Sequence, residues 1–389
     1  MAELDPNLFP LVAIDPVANG QNEWVALCLR VEGSADPAQQ VQAVFGTPDL
    51  LAAIAPLDGL LMLDSPTALT PPVLALMPAN RIGFVVAAAA LAEEGAGRRL
   101  TELHELGYRL WLDGTPSPGL PVPPALRTIA RDVRSAGLPA VRPAVLFGPH
   151  LARGVDNIKA FADSEMAGFD WFSGDYPCDP AASGDAGDGT SRRRITTLLG
   201  LLSRDADSRE IEQQLKQDPA LSYHLLKLVN SAAFAISTQI TSFNQAISLL
   251  GRRQLQRWLQ LLLYARQHAD GLPNLLLPLA ARRGAQLEAL CKLAGGDRDE
   301  GDQAFMTGVF SLLDRLLHMP MSDIVADLHL ADDVSGALLQ RSGTLGRWLR
   351  LTESQASRQD LDAAGITPAD WWHSQLNAYH WAIQVGRNV

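Results

Sequence analysis

The sequence predicts two folds in series, α/β followed by all-α. Three observations support this. Up to about residue 176, short apolar runs alternate with amphipathic segments, the pattern of strands joined by helical crossovers. Residues 177–191, Pro-Cys-Asp-Pro-Ala-Ala-Ser-Gly-Asp-Ala-Gly-Asp-Gly-Thr-Ser, lack periodicity and read as a flexible linker. From residue 192 to 389, apolar residues recur at helical spacing. The expected domains are therefore 1–176 and 192–389, joined by 177–191.

In the first half the strand candidates are Leu11–Ile14, Trp24–Val31, Leu60–Leu63, Ile82–Val86, Arg109–Asp113, Thr128–Val133, Val141–Phe147 and Phe169–Ser173. Between them Ala38–Phe45, Arg98–Leu106 and Val155–Met166 carry helical patterns. Seven or eight strands in this length fit a small (β/α) barrel, with an open doubly wound sheet as the alternative. In the second half Asp207 and Glu210 have capping-box spacing, and Asp218-Pro219 opens the next helix as N-cap and first-turn proline. Leu221, Leu225 and Leu228 continue that helix, and Asn230-Ser231 closes it. Ser242 and Gln245 open another, which Gly251 ends. Arg252–Tyr264, Leu275–Leu293, Asp302–Leu317, Met321–His329, Val334–Gln340 and Leu345–Leu351 follow as further helices.

Composition narrows the function. Of the 389 residues 47% are hydrophobic and 19% charged, enough for real cores and too little charge for a disordered chain. A net charge of -11 argues against broad nucleic-acid binding. The three cysteines, Cys28, Cys178 and Cys291, lack metal or redox spacing and read as free thiols in a reducing cytoplasm. The start, Met-Ala-Glu-Leu-Asp-Pro, does not read as a signal peptide, and Ile82–Ala92 is too short for a membrane span. A soluble cytoplasmic protein is expected.

The residues Asp218, Pro219, Leu221, Leu225, Val229, Asn230, Ser231, Ala232 and Phe234, followed by Ile240, Ser242, Gln245, Ala246, Leu250, Gly251 and Trp258, resemble the HDOD domain. That is an HD-like helical bundle of bacterial signalling proteins. HD hydrolases bind metal through separated histidines and a His-Asp pair. No His-Asp dipeptide occurs here, and Ala304–Asp314 resembles the HDOD pattern with Ser311–Asp314 replacing the metal-binding end. The resemblance implies a bundle that does not hydrolyse phosphate esters. His373, Asn377 and His380 have a spacing that could hold a metal, but Trp371, Trp372, Tyr379 and Trp381 around them point to a docking helix instead.

The first half resembles an EAL domain, the barrel that hydrolyses cyclic di-GMP. The resemblance rests on Val25–Arg30, Leu106–Asp113, Ala152–Asp156 and Phe172–Pro177. Two-metal phosphodiester hydrolysis needs several carboxylates. Measured against the family, Ala26 replaces the motif glutamate, Gly114 the second aspartate of a pair, Arg153 a glutamate and Ser173 a glutamine. Asp113, Asp132 and Asp156 remain, and Arg30 matches the arginine that contacts a ligand phosphate. Near Asp132 the usual lysine is replaced by Ala130. The resemblance thus implies a degenerate (β/α) barrel ahead of the bundle, with no bound metal and no cofactor.

The expectation is a non-enzymatic bacterial signal-transduction protein. It would act as an adaptor or scaffold through contacts with other signalling proteins, plausibly in cyclic di-GMP-linked regulation. One alternative is a receptor whose inactive barrel binds cyclic di-GMP or another nucleotide through Arg30. Another is a weak metal-dependent phosphodiesterase using Asp113, Asp132 and Asp156. The basic clusters Arg192–Arg194 and Arg252, Arg253 and Arg257 read first as solvated helix surfaces, with a partner surface as the rival for the second.

Overall fold

The computed structural model describes residues 9–33, 36–139, 147–180, 273–328 and 330–387. Between residues 181 and 272 it describes only 197, 200–201, 206–207, 210, 254, 256–257, 260–261 and 263–264. The chain divides into two compact units: 1–182 with 367–372, and 183–366 with 373–389. The expected linker begins within the 3₁₀ turn Tyr176–Cys178, and its remainder from residue 181 lies outside the described residues. So do the motif residues Asp218, Pro219, Leu221, Asn230, Ser231 and Gly251.

The first unit contains eight strands that close into a barrel. They are β1 Leu11–Asn19, β2 Trp24–Glu32, β3 Asp58–Leu63, β4 Ile82–Ala87, β5 Arg109–Asp113, β6 Thr128–Asp132, β7 Leu151–Arg153 and β8 Trp171–Ser173. Closure rules out the open doubly wound sheet. Strand β1 runs antiparallel to both β2 and β8, and every other neighbouring pair is parallel. The local cause is a tight turn. Asn19 Oδ1 accepts from the backbone N–H of Gln21 and of Glu23, both at 3.0 Å, and Asn22 takes φ 58°. A turn this short can only reverse the chain, whereas parallel neighbours need a longer crossover.

Helices α1 Pro37–Phe45 and α2 Leu50–Ala53 join β2 to β3. Helix α3 Pro71–Leu74 precedes β4, α4 Ala96–Glu105 precedes β5, α5 Val133–Ala136 follows β6, and α6 Ile158–Met166 precedes β8. Both faces of the sheet are therefore covered, which is why β3 and β4 read as continuous apolar runs. Inside the barrel, Val17, Ala26, Cys28, Leu60, Val85, Trp111, Ala130 and Leu151 form one cluster. The Trp111 indole fills much of that space, and its Nε1 donates to the Pro149 carbonyl at 2.8 Å. Its room comes from Gly83: a Cβ there would lie 2.5 Å from the Trp111 ring.

Two expectations fail here. The strand expected at Val141–Phe147 is not found at Phe147, which is in a 3₁₀ turn, and 141–146 lie outside the described residues. The seventh strand is Leu151–Arg153, too short to show a periodicity of its own. Strand β1 also runs beyond Ile14 through Pro16 to Asn19.

The described helices of the second half are α7 Leu276–Leu293, α8 Arg298–Phe310, α9 Leu313–Leu317, α10 Met321–Leu328, α11 Asp332–Gln340, α12 Gly343–Glu353, α13 Arg358–Ala364 and α14 Pro368–Arg387. Asp302–Leu317, expected as one helix, is two, broken at Ser311, whose hydroxyl donates to the Gly308 carbonyl at 2.7 Å. Helix α8 starts on a capping box, with Asp297 and Glu300 satisfying each other's backbone N–H. Helices α7 and α8 approach closely at two glycines. A Cβ on Gly308 would meet the backbone of Arg283 and Gly284 at 2.5 Å.

Arg257 is neither a solvated nor a partner-facing residue. Its guanidinium bonds Glu288 at 2.7 Å and Asp302 at 2.6 Å, and lies 4.8 Å over the Phe305 ring. Trp381 meets Phe305 edge-on at 5.4 Å, as expected of an aromatic helix docked in the bundle, but Trp371 and Trp372 of the same helix belong to the first unit. His373, Asn377 and His380 are exposed. Among the described residues no helix is long and apolar enough to cross a membrane.

Candidate functional site

The parallel strands β2 to β8 deliver their C-terminal ends to one rim of the barrel, the place where such folds gather chemistry. Arg30, Asp113, Asp132, Arg153 and Ser173 all lie at or near those ends, on β2, β5, β6, β7 and β8. The five positions singled out on separate segments thus belong to one site. Alternation along the strands assigns their faces. Arg30 follows Ala26 and Cys28 on the inner face of β2, Asp113 follows Trp111, Asp132 follows Ala130, and Arg153 follows Leu151.

The staggered register resolves the site into layers. Asp15 of β1, Met62 of β3, Asp113 of β5 and Arg153 of β7 form one layer from alternate strands. Arg30 and Asp132 lie in the layer above it, and Cys28 and Ser173 in the layer below. Contacts agree with this assignment. An Arg153 Nη2 hydrogen donates to Asp113 Oδ2, and Nη1 lies 3.6 Å from the Met62 sulfur. The two ion-paired side chains are only 18% and 16% exposed. Burial pushes the Asp113 carboxyl above the usual carboxylate range. The Arg153 charge opposes that shift, and neighbouring Asp132 adds to it. One layer down, burial pushes the Cys28 thiol up to about 12, with Asp15 and Asp113 adding to the shift and Arg153 and Arg30 opposing it.

The remaining positions have clear local roles. Asp132 Oδ1 accepts from the backbone N–H of Arg134 at 3.0 Å and of Ser135 at 3.3 Å, capping α5. Gly154 makes room for that carboxylate, since a Cβ there would lie 2.6 Å from Asp132 Oδ1. Asp156 accepts two hydrogen bonds from the exposed Arg134 guanidinium, outside the ion-paired layer. Gly114 takes φ +94°, a conformation that favours glycine. Ala26 is fully buried in the barrel core. Arg30 pairs with Glu32 at 3.0 Å, with side chains 34% and 58% exposed, so that pair contributes little to stability.

A two-metal site would need Asp113, Asp132 and Asp156 to present free oxygens to divalent cations. As arranged they do not fit such a site, because Arg153 brings a fixed positive charge against Asp113 and Asp156 spends both its oxygens on Arg134 outside the layer. Asp15, Met62 and Cys28 were missed by sequence reasoning. Cys28 was readable, standing two residues before Arg30 on the same face of a strand. Asp15 was not, because its place depends on the reversed direction of β1.

The model of the HDOD domain matches residues 192–316. Cyclic di-GMP phosphodiesterase CdgJ of Vibrio cholerae is 34% identical over 191 residues, 48% of this chain and 44% of that protein. The uncharacterized protein YuxH of Bacillus subtilis is 25% identical over 245 residues, 59% of each chain. The matches thus span roughly half the length of these curated relatives. Among solved structures, the EAL domain of Mycobacterium smegmatis DcpA is matched over 42% of this chain and 90% of its own, with 17% identity and a TM-score of 0.34. One expectation is corrected by these matches. The chain was expected to be no enzyme, yet a relative at 34% identity is a cyclic di-GMP phosphodiesterase. Missing motif residues therefore do not establish inactivity.

Proposed function

Starting from an EAL-like barrel followed by an HDOD domain, we propose that this chain is a cyclic di-GMP-linked signalling protein. Its barrel rim receives the cyclic dinucleotide, and its HDOD domain passes the outcome to protein partners. The observation that carries this reading is the convergence of Arg30, Arg153, Asp113, Asp132 and Ser173 on the C-terminal rim. Two arginines there offer forked donors to phosphodiester oxygens. The relative's activity supplies the ligand's identity.

The test is titration calorimetry of the full chain with cyclic di-GMP, with and without magnesium, followed by product analysis of the same samples. Binding that weakens in Arg30→Ala supports the reading. Linear dinucleotide among the products adds hydrolysis to it. Neither heat nor product under any condition overturns it.

A further inference from the structure

We infer that Arg153 is a built-in counter-cation of the barrel rim: its guanidinium stands beside Asp113 where a divalent cation would, and it meets an anionic phosphodiester without one. This deepens the proposed function and rests on it for the identity of the ligand.

The geometry gives three supports. First, Asp113 is committed. Its Oδ2 accepts from Arg153, and both side chains are more than four-fifths buried, so the pair is shielded from water. Second, the layer already holds its own cation. Asp15 and Asp113 face the barrel axis from β1 and β5, with Arg153 on β7 of the same layer. A divalent ion there would have to displace the guanidinium or bear its repulsion. Among the described residues, no three His, Cys, Asp or Glu side chains are grouped closely enough to hold a metal ion. Third, Arg153 keeps donors in reserve. Among the described residues, Asp113 takes one Nη2 hydrogen, Nη1 reaches the Met62 sulfur at 3.6 Å, and the buried Nε has no hydrogen-bond partner. A thioether is a weak acceptor, so a phosphate oxygen would replace it with gain.

The experiment has two arms, both on the full chain. In the first, Mn2+ binding is measured by calorimetry for the wild type, Asp113→Asn, Arg153→Glu and Arg153→Gln. Wild type and Asp113→Asn should bind Mn2+ alike. Arg153→Glu should gain a site at least ten-fold tighter than any in the wild type, lost again when Asp113→Asn is added. Arg153→Gln should gain a weaker one, which covers the case that Arg153→Glu fails to fold. A wild-type Mn2+ site that disappears in Asp113→Asn overturns the inference, as does no gain in either Arg153 variant. In the second arm, cyclic di-GMP is titrated in EDTA and in magnesium. Affinities within two-fold of each other, and a ten-fold or greater loss in Arg153→Gln, support the inference. Binding only with magnesium overturns it while leaving the proposed function standing. Absence of binding in both buffers overturns the proposed ligand, and the Mn2+ arm still decides the place of the cation.

Discussion

Replacing Arg153 by glutamine should destabilise the barrel by an amount that depends on pH. In the wild type Arg153 neutralises Asp113 in a layer that also holds Asp15, with Asp132 one layer above. Removing one partner of a buried pair typically costs about 3–5 kcal/mol. Here both side chains keep 16–18% of their exposure, so the lower end applies. Protonation sets a ceiling. A carboxyl that cannot stay charged takes up a proton, at a cost of about 1.4 kcal/mol for each pH unit above its ordinary pKa of about 4. That ceiling is about 4 kcal/mol at pH 7 and about 1.4 kcal/mol at pH 5. In the variant the folded Asp113 holds a proton that the unfolded chain releases. The wild-type carboxyl is itself raised, so the extra cost of the variant is absent below that wild-type pKa, grows as pH rises above it, and levels off once pH passes the higher folded-state pKa of the variant. We expect a loss of about 2–3 kcal/mol at pH 7 and a smaller one, below about 1 kcal/mol, at pH 5. The double variant Arg153→Gln/Asp113→Asn should recover most of it. Because the chain has two units, the reporter must belong to the barrel. Exposure of the Cys28 thiol in urea, read by a dipyridyl disulfide pulse and peptide mass spectrometry, meets that need, since the residue is 2% exposed. Equal losses at the two pH values, or a double variant no more stable than the single one, would refute the argument.

Thiol chemistry offers a second check. At pH 8 a maleimide should label Cys178 readily, and Cys28 and Cys291 only in denaturant. Both of these are buried and both thiols are pushed up, chiefly by burial. For Cys28 the unfolded thiol ionises from pH ~9 while the folded one holds its proton to about 12, so its contribution to stability fades as pH rises between those values. Rapid labelling of native Cys28 would contradict the layer assignment. In the helical unit Gly308→Ala should cost about 1–3 kcal/mol, because the new methyl lands 2.5 Å from backbone that has nowhere to go. Gly301→Ala in the same helix has its nearest neighbour at 3.9 Å and should stabilise by up to about 1 kcal/mol. Calorimetric melting of the two variants decides the matter, and equal shifts would remove the close-approach explanation.

The order of elements was legible because a strand buried on both faces leaves a continuous apolar run and a helix leaves a 3.6-residue rhythm. Leu60–Leu63, Ile82–Val86 and Arg109–Asp113 needed little correction. What escaped was set by long-range pairing. Strand β1 seemed to end at Ile14 because Pro16 lacks a backbone donor. The strand continues because β8 pairs only with Ala18 and Asn19, so Pro16 needs a partner on one side alone. Strand β7, three residues long, is held by its neighbours rather than by its own pattern. The site followed the same division. Asp113, Asp132 and Arg153 were each visible as positions, but the hydrogen bond between Arg153 and Asp113 depends on the stagger of a closed sheet. Arg257 misled for a different reason: one charge of a basic cluster on an amphipathic helix looks solvated until its acidic partners on two other helices are known.

The reversed first strand has a mechanical consequence. In a barrel whose strands all ran one way, the polypeptide would enter at one opening and leave at the other. Here Leu11 begins β1 opposite Glu32, the last residue of β2, and β8 ends at Ser173 in the same direction as β2. Entry and exit therefore share the opening that holds Arg153 and Asp113. The leads into β1 and out of β8 thus lie on one side of the barrel. The peptide that follows β8 leaves directly from that opening, with no need to cross the packed interior around Trp111.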